Sequence, residues 1–193
     1  MIAINVSTNA RAAIDNVALD QREVRRVIVR ALNRTADGVR TDAFRKIRET
    51  YNVTNKALRG NDRRAGAIAI RRANDNHLIA VVTASGNPLP LSGFAPRETR
   101  KGVSISVRKG VRKVLAGSFI ARMKSGHVGV FMRRAAKRLP IDEKYTVDFA
   151  HMFGAKDVQA AIEPLARGRF DAELDRQIGL IVNRKWQATF GKW

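Results

Sequence analysis

The sequence predicts an α+β fold, an antiparallel β-sheet packed against a long N-terminal helix and C-terminal helices. Three observations lead there. Apolar residues recur at three- and four-residue steps from Val24 to Ile47, short β-branched runs separated by turn residues fill 66 to 133, and a second helical period runs from Val158 to Trp186.

Ile2, Ile4 and Val6 alternate with smaller or polar residues, the pattern of a short strand. Asp20 and Glu23 then have capping-box spacing, a side-chain acceptor and a reciprocating carboxylate for the first free amides of a helix. Val24, Val27, Ile28, Ala31, Leu32, Ala36, Val39, Ala43 and Ile47 form its apolar stripe. Arg22, Arg26, Arg30, Arg34, Arg40 and Arg48 fall mainly on the other side, as a solvated face does. Turn residues follow between Tyr51 and Arg64, where Thr54 is placed to cap one helical turn.

Residues 66 to 84 read as a hairpin turning at Ala73-Asn74-Asp75-Asn76, with His77 to Thr83 as its second strand. Pro88, Pro90 and Pro96 remove amide donors from the next segment and make it a loop. Val103-Ser104-Ile105-Ser106-Val107 alternates strictly, predicting a strand with one buried face that turns through Arg108-Lys109-Gly110 into Val111 to Leu115. Phe119 to Met123 and His127 to Met132 form a further hairpin around Lys124-Ser125-Gly126. After Pro140 the pattern is helical, with Val158, Ala161, Ile162, Leu165, Phe170, Leu174, Ile178, Ile181, Val182 and Trp186 in its period. Pro164 and Gly168 predict a kink there or a division into two helices. With no repeat and no low-complexity tract, residues 1–193 are expected to form a single domain whose neutral helical part begins at about 141.

Charge is the outlier. The chain carries 37 Lys and Arg against 17 Asp and Glu, a net charge of +20. Residues 1 to 140 hold 29 basic and 9 acidic side chains, while 141 to 193 hold 8 of each. Between Glu98 and Asp142 there is no carboxylate but there are twelve cations. Such a segment repels itself unless phosphates or carboxylates lie beside it. This excludes an ordinary neutral enzyme as the default and points to nucleic acid, anionic lipid or an acidic protein surface.

The constellations of catalysis are missing. With no cysteine there is neither a disulfide framework nor a thiolate zinc site, as fits a reducing compartment. His77, His127 and His151 lack metal-ligand spacing, Ser92-Gly93 is no nucleophile elbow, and Gly60, Gly66, Gly126 and Gly129 precede no Lys-Ser or Lys-Thr. A metal-dependent nuclease needs carboxylates beside its sheet, and the strands from 103 to 132 have none. Catalytic, cofactor and metal sites are accordingly expected to be absent. Low aromatic content, 6%, removes base-stacking platforms, leaving phosphate contact through Arg and Lys as the nucleic-acid chemistry available. The candidate DNA- or acidic-partner-facing residues are Arg108, Lys109, Arg112 and Lys113 on one turn, then Arg122, Lys124, Arg133 and Arg134; a solvated turn is the competing explanation. A leader peptide is not expected at Met1 to Val6, nor a spanning helix, since no stretch reaches the roughly 18 apolar residues required.

Several segments resemble, in order and spacing, the minor tail protein Z family of long-tailed bacteriophages and prophages, the lambda-like tail-completion proteins. They are Arg30-Ala-Leu-Asn-Arg-Thr-Ala, Pro90-Leu-Ser-Gly-Phe, Gly102-Val-Ser-Ile-Ser-Val, Gly117-Ser-Phe-Ile-Ala, Gly126-His-Val-Gly-Val-Phe-Met-Arg133 and Arg138-Leu-Pro-Ile141. The resemblance runs from about residue 20 onward and departs from the family pattern at Tyr145-Thr-Val-Asp-Phe. It implies a non-enzymatic virion protein without cofactors, assembled in the host cytoplasm, that completes the head-proximal end of a tail and takes part in head-tail connection and DNA passage. It also implies a homo-oligomeric ring, sixfold to match a tail tube, with tail tube or terminator and connector proteins as neighbours and no membrane. Packaged double-stranded DNA is a further expected contact through nonspecific charge. The alternative from charge alone is a free nonspecific nucleic-acid-binding protein.

Overall fold

The computed structural model describes residues 2–4, 20–53 and 67–190. The first strand's expected continuation to Val6 and the capped turn at Thr54 lie outside them. The fold is α+β: long helices near both ends, antiparallel strand pairs between them. Two compact units divide it, one drawing on the described residues of Met1–Ala43, Ile68–Thr83 and Gln159–Trp193, the other on those of Phe44–Ala67 and Ala84–Val158.

In the first unit, strand β1 (Ile2–Ile4) precedes helix α1 (Gln21–Thr50). The Asp20 amide donates to Glu23 Oε2 at 3.4 Å, the reciprocal half of a capping box. Val27, Ile28, Ala31, Leu32, Ala36, Val39 and Ala43 are buried, while Arg22, Arg26, Arg30, Arg34 and Arg40 are exposed, as the period predicts. Strands β2 (Ala67–Arg71) and β3 (Ala80–Ser85) complete a sheet ordered β1-β3-β2, with Ile2 opposite Val82 and Ile4 opposite Ala80. Strand β3 starts at Ala80 rather than His77. Asn74 Oδ1 accepts from the amides of Asn76 (3.0 Å) and His77 (2.8 Å), so the turn holds those residues in its own hydrogen bonds. Asn33 on α1 pins the turn, accepting from the Ala73 amide at 2.8 Å and donating to the Ala73 carbonyl at 3.1 Å.

The remaining element of this unit comes from α3 (Lys156–Phe190), which runs as one helix through Pro164 and Gly168 instead of dividing there. Both residues are exposed, and Ile162, Ala166, Phe170, Leu174, Gln177 and Ile181 keep a single buried stripe beneath them. Leu165, Val182 and Trp186, expected on that stripe, are instead 54%, 42% and 60% exposed. An ion network spans the two helices: Arg169 reaches buried Asp42 at 2.7 Å, and Glu173 is approached by Arg34, Arg176 and Gln177. Arg169 crosses directly over Gly38, where a Cβ would strike its side chain, so glycine is what lets the guanidinium reach Asp42. Hydrogen bonds from Arg176 and Gln177, with the field of Arg34, outweigh burial and hold the Glu173 carboxyl below its usual range.

The second unit contains two three-stranded sheets. Strands β4 (Arg97–Thr99), β5 (Gly102–Ile105) and β6 (Lys113–Ala116) form one in that order; β7 (Ser118–Arg122), β8 (Val128–Arg133) and β9 (Ile141–Glu143) form the other. All pairings are antiparallel, with Val103 opposite Leu115 and Phe131 opposite both Phe119 and Glu143. Leu91, Val103 and Val130 form a buried cluster with Ile105, Val107, Leu115 and Ile120 against it. The proline segment contributes to the core: Leu89, Leu91 and Phe94 are 4%, 4% and 0% exposed, and Leu91–Gly93 makes a 3-10 turn that the prolines were expected to preclude. Pro90 and Leu91 can do this because Pro90 only caps the turn and the Leu91 amide finds the Lys144 carbonyl at 3.0 Å.

Strand β5 departs from its pattern in two respects. It ends at Ile105 rather than Val107, and Ser104 within it and Ser106 just beyond are buried along with Val103, so both faces are covered. Their hydroxyls are satisfied: Ser104 Oγ accepts from Arg112 Nε at 3.1 Å and Ser106 Oγ donates to the Arg108 carbonyl at 3.0 Å. Gly102 has φ of 145°, and a Cβ there would run into the Leu115 carbonyl of the partner strand. Helix α2 (Phe149–Gly154) starts at Asp148, which accepts from the His151 amide at 2.7 Å, and it buries Phe149, Met152 and Phe153.

Candidate functional site

The eight cations singled out by the sequence all lie in the second unit, and the structure sorts them into two groups. Arg108, Arg112, Arg133 and Arg134 are engaged by neighbouring groups of the chain. Arg108 meets Asp157 at 2.6 Å and lies 5.4 Å over the Tyr51 ring. Arg112 donates through Nε to Ser104 Oγ and through a terminal nitrogen to the carbonyls of Ala95 (3.0 Å) and Ser104 (3.2 Å), which ties β6's approach to β5. Arg133 stacks 5.2 Å from the Phe119 ring. Arg134 donates to both carboxylate oxygens of Asp142, at 3.0 and 2.8 Å. That bond holds the Asp142 carboxyl below its usual range and raises Arg134 further.

Lys109, Lys113, Arg122 and Lys124 form the second group. They are exposed and make no side-chain ion pair among the described residues. Lys109 is placed by its backbone, whose amide donates to the Thr50 carbonyl at 3.0 Å, while Gly110 at φ 79° completes the turn. Arg122 ends β7 and Lys124 occupies the turn to β8, where Gly126 adopts φ 83°. Of the eight singled-out cations, the outward four therefore sit on and beside two hairpin turns.

Sequence reasoning missed the partners of that segment. Strand β9 brings Asp142 and Glu143 across from β8, where Glu143 bonds His127 Nε2 and Tyr145 Oη, each at 2.9 Å. Three residues with Pro140 before them give too short an alternation to announce a strand. Asp157 likewise reaches Arg108 from 49 positions away. These carboxylates relieve part of the self-repulsion the composition implies.

Beside the first hairpin turn lies an open groove of about 820 Å³. Tyr51, Ile105, Val107, Val111 and Val147 give it an apolar floor, and Lys113, Lys156 and the Arg108–Asp157 pair stand at its edge. No cluster of three or more His, Cys, Asp or Glu with metal-holding placement occurs among the described residues. None of the described helices is long and apolar enough to cross a membrane. The arrangement offers charge and apolar surface, both means of binding.

Comparison with curated proteins finds no match. Comparison with solved structures finds none either. The family model described as prophage minor tail protein Z (GPZ) matches residues 9–184, which takes in all of α1, α3 as far as residue 184 and every described strand from β2 to β9. With nearly the whole fold inside that match, the chain belongs to the prophage minor tail protein Z family and is a component of a phage tail.

Proposed function

We propose that the protein completes the head-proximal end of a long phage tail as a homo-oligomeric ring, sixfold like the tube it caps, next to tail tube or terminator and head-tail connector proteins. The observation that carries this reading is the family match over residues 9–184. The outward cations Lys109, Lys113, Arg122 and Lys124 support it, with Arg108, Arg112, Arg133 and Arg134 bracing the hairpins that present them. Charge placed this way lines a DNA passage without gripping it, since it reads no base and holds each phosphate weakly. The role is structural and calls on no cofactor. Because the chain passes between its two units four times, we further infer that residues 1–193 fold cooperatively as one domain.

Imaging of tails made with and without the protein tests the reading. Tails with the protein are expected to show a ring at the head-proximal end, and tails without it to lack both the ring and attached heads. A protein absent from virions overturns it. The same outward lysines favour a second reading, free nonspecific nucleic-acid binding. That reading requires affinity for random duplex that falls steeply with salt, with a slope shallower by about 1 for each phosphate-contacting cation removed.

A further inference from the structure

We propose that the groove of the second unit receives the outer face of α3 from a second copy of the chain; this rests on the oligomeric reading above. The two surfaces are complementary in chemistry. The groove has an apolar floor, and Val111 and Val147 on it are 51% and 37% exposed. At its edge Lys113 and Lys156 have no carboxylate partner among the described residues, whereas Arg108 is already neutralised by Asp157.

The outer face of α3 is the reverse case. Asp171 and Asp175 stand four residues apart on it, exposed and without a side-chain partner among the described residues. In a chain with 20 excess positive charges, two unpaired carboxylates at that spacing are anomalous, because each repels the other and cations are abundant. The neighbouring carboxylates of α3 differ: Glu163 pairs with Arg167, and Glu173 with Arg176. Around the two aspartates the face is small and apolar, with Gly168, Ala172 and Gly179 exposed and Leu165 and Val182 54% and 42% exposed. Small residues let a helix backbone approach a groove floor closely, and the leucine and valine supply surface for it to bury.

DNA does not fit this groove as well, since phosphates gain nothing from a floor of Tyr51, Val107 and Val111. The paired surfaces are different patches, so the contact is heterologous and propagates head to tail, closing into a ring where the rotation permits.

Charge reversal on the full-length chain tests the proposal, read by sedimentation at low and moderate salt with circular dichroism confirming the fold. The groove variant (Lys113→Asp, Lys156→Asp) and the helix variant (Asp171→Lys, Asp175→Lys) are each expected to associate more weakly than the original chain by about tenfold or more. Mixed together they regain association, because the acidic groove of one accepts the basic helix of the other. The chain bearing all four changes regains it alone. Association of the unaltered chain that neither reversal weakens overturns this contact while leaving an oligomer standing; a chain monomeric throughout overturns both. Weakening by the groove variant alone puts a different surface of the second copy against the groove and overturns its pairing with α3.

Discussion

The two units use the same residue type in opposite ways. In the first, charge is spent between helices: Arg169 holds buried Asp42, and Arg34 and Arg176 converge on Glu173. In the second, four of the five singled-out arginines bind carbonyls, rings or carboxylates, while the three lysines, with Arg122, are exposed without a side-chain ion pair among the described residues. A planar guanidinium with five donors suits bracing, while the compact, strongly hydrated ammonium suits an exposed position. Net charge therefore says little about which cations meet a partner, and side-chain geometry says more.

Removing an anchor of the second unit's apolar core gives the largest effect. Phe94→Ala, at a fully buried position, is expected to cost about 3–5 kcal/mol in chemical denaturation. In the first unit the ion network takes that place. Asp42→Ala is expected to cost about 1–3 kcal/mol, and Gly38→Ala a comparable amount by lifting Arg169 off Asp42. The two changes combined should cost less than their sum, since both break one contact. If they add in full, the Arg169 strap does not govern stability.

Arg112→Lys separates bracing from charge. It keeps the cation but cannot reproduce the fork to Ser104 and Ala95, so a loss of about 1–2 kcal/mol is expected in the same measurement. The effect of acid follows from Glu173 and Asp142, whose carboxyls titrate below their unfolded values. Their stabilisation is present above the ordinary carboxylate range and is lost as pH falls through the lowered folded values. Glu173→Gln should flatten that part of the stability profile, seen as a thermal midpoint less sensitive to acid. Smallest of all, Arg122→Ala and Lys124→Ala should alter stability by less than about 0.5 kcal/mol, because neither side chain is paired within the described residues.

Helix α1 was legible almost residue by residue, because a 30-residue amphipathic period is long enough to outvote local exceptions. The β7–β8 hairpin was legible from its Lys124-Ser125-Gly126 turn. Strands β4 and β9 were not, since three residues each carry too little pattern. The stripe of α3 was half legible. Its period announced a helix, but which of several apolar faces turned inward was decided by packing, which chose Ala166 and Gln177 over Leu165 and Val182. For the candidate surface the sequence located the cations and not their engagement, because Asp142 and Asp157 approach Arg134 and Arg108 only through tertiary structure.

The interleaving of the two units also constrains synthesis. A ribosome releases Phe44 to Val158 before the α3 residues from Gln159 onward emerge. The sheet-rich unit thus has all its strands while α1 still lacks α3, the other long helix of the first unit and the source of Asp42's partner Arg169. During that interval the first unit is incomplete and open to chaperones, and a nascent chain stalled near Val158 would remain in that state.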